Sequence, residues 1–466
     1  MRRKTKIAST VAALVLAALG VKGYFLLYEN RPALPAEETR CLFGAYSLDG
    51  GEFAYVRHRE GKTLRMNDLA GRTVLLEPDG GPGAYRVAKG GGTASFDCSA
   101  GSLSLSIAGW PSLGKRLALD ETPITFASHG DALRGKIVTA AGTRPSIYVT
   151  LVHGSERDSA VFGSAWQYIL AARGFGVVVY DKRGTGLSDG EYTQDFDLLA
   201  DDAVAAIAEL RRRVPGSYQV GLMGGSQGGW VAPLAATRTP ADFVIALYGL
   251  AESTLAEDRE EVLLGLREAG FDGPEIRAKA LEVTAATGKV MASDAKAGWE
   301  ELAAVKEKYG KEPFFAHLEG EFTGELVRRP PWLLKRVLPF YDVGTSWEYE
   351  PLPTLRKIEV DHLWVLAGDD HAAPSGPTRE ILLALQATRP KLDVAFFPRA
   401  DHGMVIFEQP AAAGSADAPR PFYYAPGYFR LVTEWIASRR LPAGDVDLVV
   451  ASGAADLEAP SAQATE

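Results

Sequence analysis

The chain has only two cysteines, Cys41 and Cys98, among 466 residues. That excludes a disulfide-dense mini-scaffold, and the pair lacks the spacing of a structural zinc site. A bridge between them and a pair of buried thiols both stay open from sequence alone. An excess of basic charge is also lacking. The formal net charge is -9, with both signs mixed along the chain. Nucleic-acid binding would want a basic face, so no nucleic-acid partner is expected. There is no internal repeat. No glycine loop has the strand, helix and acidic partner of a dinucleotide site. Neither a metal nor an organic cofactor is implied.

What is present is apolar and segmented. Hydrophobic residues make up 46% of the chain, enough for a large core and for two domains. Arg2, Arg3, Lys4 and Lys6 precede an apolar run from Ile7 to Leu19, the pattern of a secretory signal. Lys22 interrupts the run and Tyr24 to Tyr28 continues it, so residues 7–28 can also span a bilayer if Lys22 snorkels. The expectation is a signal peptide or signal anchor over 1–28. The protein is then exported, periplasmic or extracellular, or else anchored in the inner membrane with its bulk outside. Membrane contact is expected through this segment.

Residues 29–38 read as a linker. Over 39–120 the runs are short and strand-like, as in Phe53 to Val56, Thr73 to Leu76 and Leu103 to Ile107, with glycine turns between them. A small β-rich accessory domain is expected there. From about 121 to 440 apolar strands alternate with helical stretches. Ile147 to Val152, Gly176 to Tyr180, Gln219 to Met223, Phe243 to Tyr248, Leu363 to Leu366 and Val394 to Phe397 are the strands. Such alternation argues an α/β fold with a mostly parallel sheet covered on both faces. A charged, helical insertion over 251–350 separates two of these strands and is expected to form a cap. The segment 441–466 is rich in Ala, Asp, Ser and Pro and reads as a disordered tail.

Gly224-Gly225-Ser226-Gln227-Gly228-Gly229 directly follows an apolar strand and precedes a helix. A sharp strand-to-helix turn would place the Ser226 hydroxyl at the sheet edge, with Gly224 and Gly228 relieving crowding in the bend. Serine needs a base to become a strong nucleophile. His402, just past the strand ending at Phe397, is the candidate. His317 and His362 have no comparable setting. The acid that orients the base should follow the preceding strand, where Asp369 and Asp370 lie. Asp370 is preferred and Asp369 is the alternative. The chain order Ser226, Asp370, His402 is that of a strand-borne hydrolase triad. His153-Gly154-Ser155-Glu156 follows another strand. Backbone amides of Ser155 and Gln227 are the candidate oxyanion-hole donors. His153 is read as a brace for the loop.

Together these segments resemble the α/β-hydrolase superfamily, in particular bacterial esterases and serine-peptidase-like members with a short HGS loop. Tyr180 to Ser188 is similar to the D-x-R-G-x-G-x-S segment of that family, read as a structural turn held by Asp181 and Arg183. The resemblance covers about 124–440 and not the β-rich part. One place departs from the family. Members often carry Gly-x-x-Asp before a loop proline, whereas here Gly368 is followed by Asp369 and Asp370, with His371 at the usual acid position. Asp370 still sits four residues before Pro374.

The resemblance implies a serine hydrolase that cleaves carboxylic esters through an acyl-enzyme. A serine peptidase or acyl-amide hydrolase is the alternative, because both use the same machinery. A non-catalytic exported binding module on a hydrolase scaffold is the third reading. The expected partner is a small ester or a short peptide.

Overall fold

The alternation in the first part of the chain closes on itself. Strands β1 (Gly44–Leu48), β2 (Phe53–Glu60), β3 (Thr63–Asp68), β4 (Thr73–Pro78), β5 (Ala84–Val87), β6 (Gly92–Asp97), β7 (Ser102–Ile107) and β8 (Leu113–Arg116) form a closed antiparallel barrel. β1 pairs with β2 on one side and with β8 on the other, so no edge is left open to pair with another chain. Leu64, Met66, Leu76 and Leu103 are fully buried, so side chains fill the interior. The computed structural model describes residues 32–88, 90–341, 343–408, 422–442 and 449–451.

Cys41 and Cys98 form a disulfide with a Cα–Cα distance of 5.7 Å. It ties the end of the short helix Glu37–Arg40 to the turn between β6 and β7. The bridge closes a separation of 57 residues. By chain entropy, losing it should cost roughly 2–4 kcal/mol. A Cys41→Ser/Cys98→Ser protein is therefore expected to melt several degrees lower in calorimetry, at unchanged fold.

The second sheet has nine strands: β9 (Leu119–Ser128), β10 (Asp131–Ala140), β11 (Ile147–Val152), β12 (Gly176–Tyr180), β13 (Gln219–Gly225), β14 (Phe243–Leu247), β15 (Asp361–Ala367), β16 (Leu392–Phe397) and β19 (Val449–Ala451). β17 (Val405–Phe407) and β18 (Phe422–Tyr424) form a separate hairpin. The order is β19-β16-β15-β14-β13-β11-β12-β10-β9, parallel from β16 through β12. Every residue of β12 and of β14 is buried, as strands covered on both faces require. Helices Phe196–Arg213 and Gly228–Ala236 pack on one face. Helices Trp166–Ala172 and Tyr428–Ser438 pack on the other, in a core that continues without a break into the barrel.

The insertion after β14 includes helices Thr254–Glu268, Pro274–Ala292, Trp299–Tyr309, Thr323–Arg328 and Pro331–Tyr341. It builds its own core around Val262, Val283, Leu302, Phe314 and Leu326. The chain is thus a small β-barrel followed by an α/β-hydrolase sheet with a helical cap.

The expectation of membrane contact is corrected. Among the described residues no helix is long and apolar enough to cross a membrane. Residues 1–28, on which the signal and anchor expectations rested, lie outside the described residues, as does most of 441–466.

Candidate active site

Ser226 stands at the junction of β13 and the helix Gly228–Ala236, with a left-handed φ of 52°. A non-glycine residue takes that conformation only where its surroundings impose it. Here the Ser226 amide donates to the Leu247 carbonyl at 2.9 Å, pinning the turn to β14. A Cβ on Gly224 would run into the Gly228 backbone, and one on Gly228 would lie 2.8 Å from the Val152 carbonyl oxygen. Glycine at both positions lets the helix approach the sheet closely enough to expose the serine.

His402 lies beyond β16 and is partly exposed, with 30% of its side chain accessible. Its Nε2 is 3.1 Å from Ser226 Oγ, and its Nδ1 is 2.9 Å from Asp370 Oδ2. Asp370 is buried, and its Oδ1 accepts from the amides of Ala372 at 3.1 Å and Ala373 at 2.7 Å. Burial disfavours the imidazolium of His402. Asp370, by hydrogen bond and charge, with the charges of Asp401 and Glu156, outweighs burial and raises its pKa above the ordinary histidine value.

Asp369 is exposed and does not meet His402. Its amide donates to the Ala400 carbonyl at 2.9 Å, and its own carbonyl is 2.9 Å from His371 Nδ1. His371 at the usual acid position is instead paired with Glu268 of the insertion, Nε2 to Oε1 at 2.9 Å. Of the other histidines, His362 is buried in β15, where burial pushes its pKa down to about 3. His317 packs on Phe271 in the insertion.

Ser155 lies in the loop after β11, and Gln227 begins the turn into the helix after Ser226. β11 and β13 are paired in register, Val152 opposite Gly224, so the two loops emerge side by side. His153 is buried, with Nε2 3.1 Å from the Asp158 carbonyl and Nδ1 3.3 Å from Glu156 Oε1. Burial opposes ionisation of Glu156. The charges of His153 and Lys182 and the amides of Gly154 and Glu156 outweigh it and hold its carboxyl below the usual range.

The Tyr180–Ser188 segment is a turn. Asp181 accepts from Ser159 Oγ at 2.8 Å and from the Leu187 amide at 2.8 Å, and Arg183 is forked onto Asp202 at 2.6 and 2.8 Å. Lys182, between them, was not singled out by sequence. It is buried, and its ammonium donates to the Gly154 carbonyl at 2.7 Å and to Gln227 Oε1 at 3.3 Å. Burial drives its pKa down to about 7. A lysine two residues beyond the wholly apolar run Val177-Val178-Val179-Tyr180 was the available signal. Asp401 was also missed. Its Oδ1 accepts the His402 amide at 2.7 Å and fixes the histidine loop. Tyr248, at φ 41°, sets its ring 5.2 Å from that of His402.

Ser226, His402, Tyr248, His153 and Ser155 line a cavity of about 460 Å³. One wall is β2 of the barrel, through Arg57, His58 and Arg59. The rest comes from the β11 loop, the Ser226 turn, Tyr248, His402 and the aromatic residues Tyr424, Tyr428 and Phe429. No residue of the helical insertion is among those lining it.

The sheet order and the strand-to-helix serine turn are those of an α/β-hydrolase fold. Residues 143–251 match the family described as serine aminopeptidase, S33. No curated protein matches the sequence. Among solved structures, an esterase of Pyrococcus furiosus is 16% identical, with 61% of this chain and 84% of that chain covered and a TM-score of 0.39. An acylaminoacyl peptidase of Pyrococcus horikoshii is 14% identical over 84% of this chain and 57% of that chain, with a TM-score of 0.39. A proline iminopeptidase of Mycobacterium smegmatis is 14% identical over 68% of this chain and 98% of that chain, also with a TM-score of 0.39.

Proposed function

We propose that this protein is a serine hydrolase that cleaves carboxylic esters through an acyl-enzyme, with Ser226, His402 and Asp370 as its catalytic residues. The observation that carries the reading is the unbroken relay from Asp370 Oδ2 to His402 Nδ1 at 2.9 Å and from His402 Nε2 to Ser226 Oγ at 3.1 Å. His402 takes the Ser226 proton as Oγ forms a bond to the substrate carbonyl carbon. Amides of Ser155 and Gln227 stabilise the oxyanion. The C–O bond then breaks, and His402 returns the proton to the departing alcohol. Water, deprotonated by His402, attacks the acyl-enzyme, the acyl–Oγ bond breaks with the proton passing from His402 to Ser226 Oγ, and the acid is released.

A peptidase reading is favoured by one observation, the match of residues 143–251 to the serine aminopeptidase family. The same relay would serve an amide, with the proton delivered to the leaving nitrogen. The Cys41–Cys98 bridge supports work in an oxidising compartment, in keeping with export.

A fluorophosphonate is expected to label the native protein at a single site, mapped to Ser226 by mass spectrometry. Matched ester and anilide substrates should then be hydrolysed with the ester faster. An unlabelled, inert protein would remove the hydrolase reading and leave a binding module. Faster turnover of amides would select the peptidase.

A further inference from the structure

The barrel puts positive charge where a small core domain has no use for it. Arg57 of β2 and Arg65 of β3 are directly opposite each other in the antiparallel register. Like charges in that position repel. Neither meets a carboxylate among the described residues. Arg57 donates to the Gly163 carbonyl at 3.0 Å and to the Tyr424 hydroxyl at 3.2 Å, and Arg65 lies over the Phe422 ring at 4.8 Å. The Nε atoms of both are buried without a hydrogen-bond partner. Burial and the neighbouring Arg57 push the pKa of Arg65 down to about 10. Arg59 adds a third guanidinium at a register shift in β2, where the ladder between His58 and Glu60 is broken and a side chain can be re-aimed. Arg57 and Arg59 both line the cavity that holds Ser226 and His402.

The hydrogen bonds that Arg57 makes go to neutral oxygens and leave its Nε unsatisfied, so its charge has no carboxylate partner among the described residues. The acidic groups of the same cavity do not supply one. Glu156 is turned to His153 at 3.3 Å, and neither it nor Asp158, the other acid lining the cavity, forms an ion pair with Arg57 or Arg59 among the described residues. We propose that Arg57 and Arg59 bind an unreacting carboxylate of the substrate, so that the barrel selects esters or amides carrying a free carboxyl group. Arg65, behind Arg57 on β3, adds to the positive field. Guanidinium suits this task, because its planar fork meets a carboxylate with two hydrogen bonds. The inference deepens the hydrolase reading and rests on it for turnover, but not for binding.

The test uses the full chain and two matched substrate pairs. One pair is the p-nitrophenyl ester of a neutral acid and that of glutaric acid with its second carboxyl free. The other is an N-acetyl dipeptide anilide pair with a free or an amidated side carboxyl. The carboxylate member is expected to have the lower KM by about tenfold, which is about 1.4 kcal/mol. Arg57→Gln should remove most of that ratio, acting on KM for the anionic member far more than for the neutral one. Arg59→Gln, at an exposed position, should lower the ratio as well and serves if Arg57→Gln does not fold. Arg86→Gln, whose partner is Glu77 elsewhere on the barrel, should leave the ratio where it was. Equal KM values within each pair for the native protein would overturn the inference. So would a ratio that survives both Arg57→Gln and Arg59→Gln, which would make these arginines purely structural. If Ser226 is never labelled and nothing is turned over, the hydrolase reading fails separately. Calorimetric titration with glutarate then still decides binding: heat lost in Arg57→Gln supports the site, and no heat with native protein overturns it.

Discussion

Replacing Asp370 by asparagine is expected to lower kcat for an ester by roughly 10⁴-fold with the fold intact. The reason lies in how the loop holds the carboxylate. Oδ1 accepts the amides of Ala372 and Ala373, so an asparagine would keep its oxygen there. Its NH2 would then face His402 Nδ1. A donor at that position forces the imidazole to carry its proton on Nε2, pointing at Ser226, and the base can no longer accept. Asp369→Asn should change kcat less than about twofold, because Asp369 is exposed and does not meet the imidazole. Steady-state kinetics on the two variants separates them. Comparable losses would mean that the acid has been misassigned.

The same pair of variants predicts a pH effect. His402 must be neutral to act as base, and its pKa is raised above the ordinary value of about 6.5. The rate should therefore climb with pH through a limb displaced upward from that value. Asp370 contributes the leading raising effects, by hydrogen bond and by charge. In Asp370→Asn the residual activity should reach its plateau at lower pH. The sign is fixed: losing a neighbouring anion makes the imidazolium a stronger acid.

How far the sequence alone reaches differs from residue to residue. Ser226 was legible because its six-residue motif carries its own context, an apolar strand before and a helix after. His402 was legible from chain order. The choice between Asp369 and Asp370 was less so, since a loop one residue short moves every side chain after Gly368. Long-range contacts set the two apart: the Asp369 amide is held by Ala400, while Asp370 Oδ2 lies 2.9 Å from His402 Nδ1. The barrel's strands were visible as alternation, but its closure was not. Pairing of Tyr46 with Arg116 joins the two ends of the domain, and no local pattern encodes it. The insertion was expected only as a cap beside the sheet, and sequence did not say which domain walls the site. The cavity wall comes from β2 of the barrel, while the insertion packs largely around its own core. Which domain reaches a site depends on docking, as where Tyr424 donates its amide to the Gly71 carbonyl of the barrel at 2.9 Å.

Lys182→Met is expected to cut kcat by about 10²-fold, at the lower end of what losing an oxyanion-hole donor costs, while the melting temperature holds or rises. The two halves of that result have different causes. Stability should not suffer, because a buried ammonium is expensive to desolvate and a methionine of similar shape fills its place. Activity should suffer because Lys182 grips the Gly154 carbonyl at 2.7 Å and Gln227 Oε1 at 3.3 Å. The Gly154 carbonyl and the Ser155 amide belong to one planar peptide unit. An ammonium on the oxygen side both orients that plane and polarises the N–H on its other side, which is the proposed oxyanion donor. Through Gln227 it ties the second donor's residue to the first. Burial lowers the pKa of Lys182 to about 7, with Glu156 raising it and Arg157 lowering it, and the Tyr192 ring lies 4.4 Å from the ammonium. The ammonium is therefore lost as pH rises through the neutral range, and the native rate should fall on that side. In Lys182→Met that alkaline limb should vanish while the His402 limb stays. A purely structural lysine would lower the melting temperature and leave the pH profile with both limbs.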